Sequence, residues 1–244
     1  MRKVHRLSIL AGLLLAVSGC HPDNNVSGSA PDSAALRPTP AGPDPEVSPH
    51  ATVSAPPREN DPRPVIVCFG DSLTAGFGTD PGQSYPDYLQ TTLDQLHYRY
   101  RVVNQGISGN TTKDGVERLP EILALHPALA VVEFGGNDGL RGLPIEDTRA
   151  NLDTILATLK RAGIKVALAG ITLPPDYGPD YIHQFNETYT LLAKKYRVPL
   201  LPFLLQNVYG VPGLMQPDNT HATAKGNRIV ARNLMPLVLP LLKK

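Results

Sequence analysis

From Val65 onward the chain alternates short, continuous apolar runs with longer stretches in which apolar residues recur every three or four positions. The runs at 65–69, 101–104, 129–134, 165–169 and 198–201 predict strands, because a strand covered on both faces is apolar throughout rather than at every second residue. Between them, Tyr85, Leu89, Leu93 and Leu96 predict a helix over 84–96, and Val116, Leu119, Ile122 and Leu123 predict one over 115–125. Leu152, Ile155, Leu156 and Leu159 predict a third over 148–162, stopping at Gly163. Two more follow at 181–196 and 222–239, the last broken or ended around Pro236. Strict succession of strand and helix argues an α/β domain with a parallel five-stranded sheet covered on both faces. Ligands of such sheets bind beyond the carboxyl ends of the strands.

The first 64 residues break this pattern. Arg2, Lys3 and Arg6, an apolar run over 7–17 and then Ser18-Gly19-Cys20 have the order of a secretory signal. The run is too short to span a bilayer, which takes ~20 residues. A cysteine directly after small residues resembles the lipobox of bacterial lipoproteins, with Val17 where leucine is usual. That resemblance implies Cys20 as the first mature residue, diacylated on sulfur; the alternative is an ordinary signal peptide cut nearby, with Cys20 incidental. Over 21–64 proline dominates, with eleven of the chain's 25, and large apolar residues are almost absent. Such a segment cannot offset its ordering entropy and is expected to be a disordered tether with a reach on the order of 100 Å. The chain thus divides into 1–20, a lipoprotein-type signal; 21–64, a tether; and 65–244, one folded domain.

Charge and cysteine narrow the function. The formal net charge is +1, from 23 Lys and Arg against 22 Asp and Glu, and no basic block follows the first few residues. No footprint for nucleic acid is visible. Tryptophan is absent, so stacking platforms for bases or sugars are not advertised either. With Cys20 lipidated, Cys68 stands alone; a disulfide framework is excluded and Cys68 is expected as a buried apolar strand residue. No His, Cys and acid cluster has metal spacing, and the one near-match to a dinucleotide loop, Gly76-Phe77-Gly78, is incomplete, so no cofactor is expected.

The candidate chemistry sits where the strands end. Gly70-Asp71-Ser72-Leu73 follows the first strand, Asn104 to Asn110 the second, and Gly135-Gly136-Asn137-Asp138-Gly139 the third, while Asp218-Asn219-Thr220-His221 precedes the last helix. A serine hydroxyl needs a base to take its proton, and the base needs an acceptor to fix its tautomer. His221 and Asp218, three apart in one loop, can supply both. Alone, each block has a plain reading: Ser72 as a helix cap, Asn137 as a turn residue, His221 as a surface histidine. His97, His126 and His183 have no such companion and are expected in solvent.

In this order and at these separations, the four blocks resemble those of the GDSL or SGNH hydrolases. The stretches 131–142, 173–178 and 198–203 are similar to the bacterial thioesterase I, lysophospholipase L1 and arylesterase branch of that family. The resemblance implies a flavodoxin-like, three-layer α/β/α fold and position-by-position roles. Ser72 would be the nucleophile, His221 the base and Asp218 its orienter. The backbone N–H groups of Ser72 and Gly106 and the side-chain amide of Asn137 would form the oxyanion hole, where losing one donor costs about 2.7–4 kcal/mol. Asp71 would cap the turn that presents Ser72 rather than serve as a second acid. One departure stands in the last block, where Asn219-Thr220 replaces the usual Gly-Ile and Ala222 the usual Pro, which bears on loop shape.

The expectation is therefore a serine hydrolase of carboxylic esters and thioesters acting through an acyl-enzyme. Its substrates would be small acyl esters or thioesters, lysophospholipids among them. The protein would be an exported monomer anchored through Cys20 to the periplasmic side or cell surface, on the outer membrane in a Gram-negative cell. The alternatives are a carbohydrate O-acetylesterase on the same scaffold and a non-catalytic lipid-anchored binding protein.

Overall fold

The computed structural model describes residues 61–244. The signal, the lipidation at Cys20 and nearly all of the tether expected from the sequence lie outside those residues. Five parallel strands, β1 (Val65–Gly70), β2 (Arg101–Gly106), β3 (Leu129–Glu133), β4 (Lys165–Ala169) and β5 (Leu200–Leu201), form one sheet in the order β2-β1-β3-β4-β5. This is the flavodoxin-like order, with its reversal of direction between β1 and β3. α2 (Tyr85–Gln95) packs on α8 (Ala224–Val238) over one face, while α3 (Thr112–Glu117), α6 (Ile145–Arg161) and α7 (Pro179–Tyr196) cover the other. The short α1 (Ser72–Ala75), α4 (Leu119–Ala124) and α5 (Gly136–Leu140) complete the set.

The core is the pattern read from the sequence. Ile66, Val67, Cys68 and Phe69 of β1 and Leu129 to Val132 of β3 are fully buried between the two helical layers. Burial pushes the Cys68 thiol up, so it is inert packing. Ser84 caps α2 and Thr111 caps α3, each in a reciprocal pair with an aspartate three residues on.

Two boundaries differ from the expectation, and proline explains both. The helix expected over 115–125 is two, because Pro120 cannot donate to the carbonyl of Val116 and instead opens α4. β5 keeps only two residues of the expected four, since Pro199 has no N–H for the ladder. The last helix, expected to be broken or ended around Pro236, runs unbroken through it and ends close by at Val238, with Pro236 inside its last turn. Only the exposed Arg232 loses its amide partner there, and the chain passes directly into a 3-10 turn at Leu239–Leu241.

Candidate active site

The reversal between β1 and β3 opens a crevice at the carboxyl edge of the sheet, and the loops leaving β1, β2 and β3 meet there. After β1 the chain turns sharply into α1, with Asp71 as its cap: the N–H of Leu73 donates to Asp71 Oδ1 at 3.0 Å. Ser72 is thereby the first residue of a helix. Its Oγ lies 2.8 Å from His221 Nε2, and His221 Nδ1 lies 2.7 Å from Asp218 Oδ2. The N–H groups of Thr220 and His221 both donate to Asp218 Oδ1 at 3.0 Å, so the carboxylate is held on both oxygens. Burial works against that charge, but these backbone donors and the His221 ring keep Asp218 below the usual carboxylate range. Asn219, the position at which the sequence departs from the block it resembles, takes a left-handed φ of 53°. Asparagine tolerates that region, so the departure noted in the sequence leaves the loop closed.

Phe77 lies against the His221 ring, with centroids 4.7 Å apart, and Gln216 ties the two strands of the histidine loop to the carbonyls of Phe77 and Ala222. The imidazole is thus fixed by its acceptor, its neighbour and its loop.

Gly106 and Asn137 reach the same rim. Gly106 has to be glycine: a Cβ there would stand 2.1 Å from the backbone nitrogen of Ala75 in α1. Of the three expected donors, the Ser72 N–H makes no bond among the described residues. The Gly106 N–H donates to Asn104 Oδ1 at 2.9 Å, and the Asn137 amide donates to Asn110 O at 2.9 Å and Asp71 Oδ2 at 3.2 Å. Beside them opens a cavity of about 220 Å³ whose walls are largely apolar, from Leu140, Ile171, Leu173, Pro174, Phe203 and Leu205. The loops around Gly139 and Pro174 form part of this wall, through Leu140 and Pro174. They are also joined, since Tyr177 Oη donates to Leu140 O at 2.9 Å.

Asp71 is a cap, as expected, but a buried one with a partner the sequence reading assigned no role. Glu133, at the end of β3 and fully buried, accepts from Thr74 Oγ1 at 2.8 Å and from the Asp71 N–H at 3.4 Å through Oε2. Its Oε1 has no partner among the described residues. Burial pushes Asp71 up to about 6 and, helped by the charge of Asp71, carries Glu133 well above its usual range. Two further supports went unread. Arg118, packed over Phe69, donates to Asn110 Oδ1 and Gln105 O and so braces the loop after β2. Asp138 accepts from the N–H of Thr112 at 2.9 Å and locks α5 to α3. The available signal was a charge set inside an apolar run, as in Val132-Glu133-Phe134. His97, His126 and His183 are exposed, the last 3.6 Å from Glu187.

Residues 68–229 match the GDSL-like lipase/acylhydrolase family. The chain is 42% identical over 178 residues to esterase TesA of Pseudomonas aeruginosa, covering 72% of this chain and 89% of that one. It is 39% identical over 178 residues to the thioesterase 1/protease 1/lysophospholipase L1 of Escherichia coli K12, covering 71% and 84%. The crystal structure of TesA superposes with a TM-score of 0.71 at 42% identity, over 73% of this chain and 99% of that one.

Proposed function

Since the chain belongs to the GDSL-like lipase/acylhydrolase family, we propose that Ser72, His221 and Asp218 perform the ester and thioester hydrolysis of this enzyme as a relay. The observation that carries this is the unbroken contact from Asp218 through His221 to Ser72 Oγ at the mouth of an apolar cavity. The acyl chain of the substrate lies against Leu173 and Phe203, which places its carbonyl carbon at Ser72. Ser72 Oγ attacks that carbon while its proton passes to His221 Nε2, and Asp218 stabilises the imidazolium that results. The negative oxygen is met by the N–H groups of Ser72 and Gly106 and by the Asn137 amide, whose longer contact, to Asp71, is the one it replaces. His221 then returns the proton to the departing alcohol or thiol. A water attacks the acyl-Ser72 ester by the same route in reverse and regenerates the serine.

Lysophospholipids fit this reading because their single acyl chain and soluble head divide between the cavity and its polar rim. Export and anchoring through Cys20 on the periplasmic side or cell surface belong to the same proposal, supported by the residues of the signal and by the Pro-rich segment.

The test is hydrolysis of short and medium p-nitrophenyl esters, acyl-CoAs and lysophosphatidylcholine by wild type and Ser72→Ala. The variant should stay folded and lose several orders of magnitude in kcat/KM. An undiminished rate would overturn the mechanism, as would failure of an active-site phosphonate to label Ser72 in the wild type. Mass spectrometry of the mature amino terminus decides the anchor, and an unmodified Cys20 refutes it.

A further inference from the structure

The βα units of this domain all run in one sense, so every strand begins, and every long helix ends, at the edge opposite Ser72. Helix ends favour acids in the first turn and bases in the last. Two of the four long helices follow this rule in full: Glu146 and Asp147 open α6 and Lys160 and Arg161 close it, while Asp180 opens α7 and Lys194 and Lys195 close it; α2 has Asp87 in its first turn but no base in its last, and α8 has neither. Because the helices lie parallel to one another, these local preferences add. The same edge carries Arg99 before β2, Arg197 before β5 and Lys243 and Lys244 at the carboxyl terminus, all exposed. The terminus is fixed there, with the Lys243 N–H donating to Tyr100 Oη at 3.0 Å and Lys165 Nζ donating to Leu241 O. Against these cations stand Asp61, paired with Arg63, and Asp94; Asp153 matches Lys195 alone.

The opposite edge has the reverse character. Its strand-to-helix connections expose Asp80, Asp176 and Asp218 against Arg141, and the helix first turns beside them expose Glu146, Asp147 and Asp180 against Lys113 and Lys225, so acids outnumber bases there. Among the described residues, six of the eight exposed large apolar side chains also stand on those connections, Phe77, Ile107 and Tyr209 among them. A nearly neutral chain is therefore polarised, basic at one edge and acidic and apolar around the serine.

Where the chain enters the domain adds a second observation. Asp61 to Pro64 lie at the basic edge, with Arg63 donating to Tyr100 O at 3.2 Å and Arg101 to Pro64 O at 3.0 Å. Forty residues separate Cys20 from Asp61. Their contour, at ~3.3 Å each, is on the order of 130 Å, against a domain about 40 Å across. Such a connection leaves either edge free to face a surface, so charge decides which one does.

We propose that the basic edge docks on an anionic lipid surface, which holds Ser72 and its cavity turned away from the bilayer. The electrostatics stand without the proposed anchor, which supplies only proximity. Polarity of this kind orients a tethered domain because the basic edge is drawn to lipid phosphates while the acidic edge is repelled.

The test compares wild type with an Arg99→Glu/Lys160→Glu/Lys194→Glu variant, each as the cell exports it, so that any acyl group is common to both. These three side chains are exposed, form no hydrogen bond or ion pair among the described residues and lie outside the active site. Co-sedimentation is measured with vesicles of phosphatidylcholine alone and of phosphatidylcholine mixed with phosphatidylglycerol. The mixed vesicles should retain the wild type more strongly, high salt should remove the difference, and the variant should bind them on the order of a hundredfold more weakly. Turnover of a soluble p-nitrophenyl ester should be equal in the two proteins and unchanged by bound vesicles.

Equal retention by both vesicle types, or a variant that binds as wild type does, overturns the proposal. Loss of soluble-ester turnover on the mixed vesicles overturns the orientation, since the site would then face the lipid. Duplex DNA held as tightly as the mixed vesicles would assign the edge to another polyanion and overturn the lipid reading. Failure of the hydrolase reading appears separately, in the ester assay without vesicles.

Discussion

The carboxyl of Glu133 occupies the place a side chain at Gly70 would need: a Cβ there would lie 2.1 Å from Thr74 Oγ1 and 2.5 Å from Glu133 Oε2. The glycine that opens the serine block is thus required by an acid on another strand. Unfolded carboxyls titrate near ~4, whereas burial pushes Asp71 up to about 6 and carries Glu133 well above its usual range. Across that interval the folded state holds more protons than the unfolded one, so unfolding free energy falls as pH rises from about 4 through about 6. Glu133→Gln carries its hydrogens at every pH. It should keep near wild-type kcat and flatten that stretch of the stability curve, matching wild type near the bottom of the interval and equalling or exceeding it above. Urea unfolding across the range checks this, and a slope in Glu133→Gln as steep as in wild type would sink it. Glu133→Ala leaves Thr74 and the Asp71 N–H without their acceptor in a dry interior. It should lose about 1–3 kcal/mol and lower kcat more than it changes KM.

Elements bring Ser72 to its base by approaching one another closely. α1 lies across the end of β2 only because residue 106 has no side chain, and the displaced atoms in Gly106→Ala would be backbone, which cannot rotate aside. Overpacking of this kind costs about 1–3 kcal/mol. The variant should fold with a lowered melting temperature and lose kcat in excess of that destabilisation, because Ser72 moves with α1. Thermal unfolding and single-turnover kinetics separate the two effects, and full activity in Gly106→Ala would show that α1 has room to spare. At this scale the sequence was most legible where one periodicity ran unopposed, as in β1, β3, β4 and α6. It misled where proline acted on a bond the pattern does not display: Pro120 splits a helix and Pro199 shortens a strand, whereas Pro236 falls where a single lost bond can be hydrated. The three residues of the proposed relay were legible as candidates because each stands in a recognisable block, and the fold brings them into contact. Glu133, Arg118 and Asp138 were not, since each acts on a loop distant in sequence and only the fold supplies the partner.

For the molecule as a whole, summed charge hid what direction reveals. Cations at helix ends look scattered along the chain, and only a parallel sheet collects Lys160, Lys194 and Lys243 at one edge while Glu146, Asp147 and Asp180 stand at the other. The described core lies within residues 65–244, and Asp61 contributes to it only through its pair with Arg63. A partly exposed pair of this kind is worth at most about 1 kcal/mol. A chain beginning at Asp61 keeps this pair, so it should retain kcat/KM for soluble esters and match the full chain in stability to within about 1 kcal/mol. A larger loss in either would mean that residues before 61 pack against the domain. On anionic vesicles the same shortened chain separates two modes of binding. An acyl anchor holds through buried methylenes and is indifferent to salt, whereas the basic edge holds through screened charge. The shortened chain should retain only the salt-sensitive part, and the full chain should show both. Binding by the shortened chain that persists at high salt would move the attachment from the basic edge to the apolar side chains around Ser72.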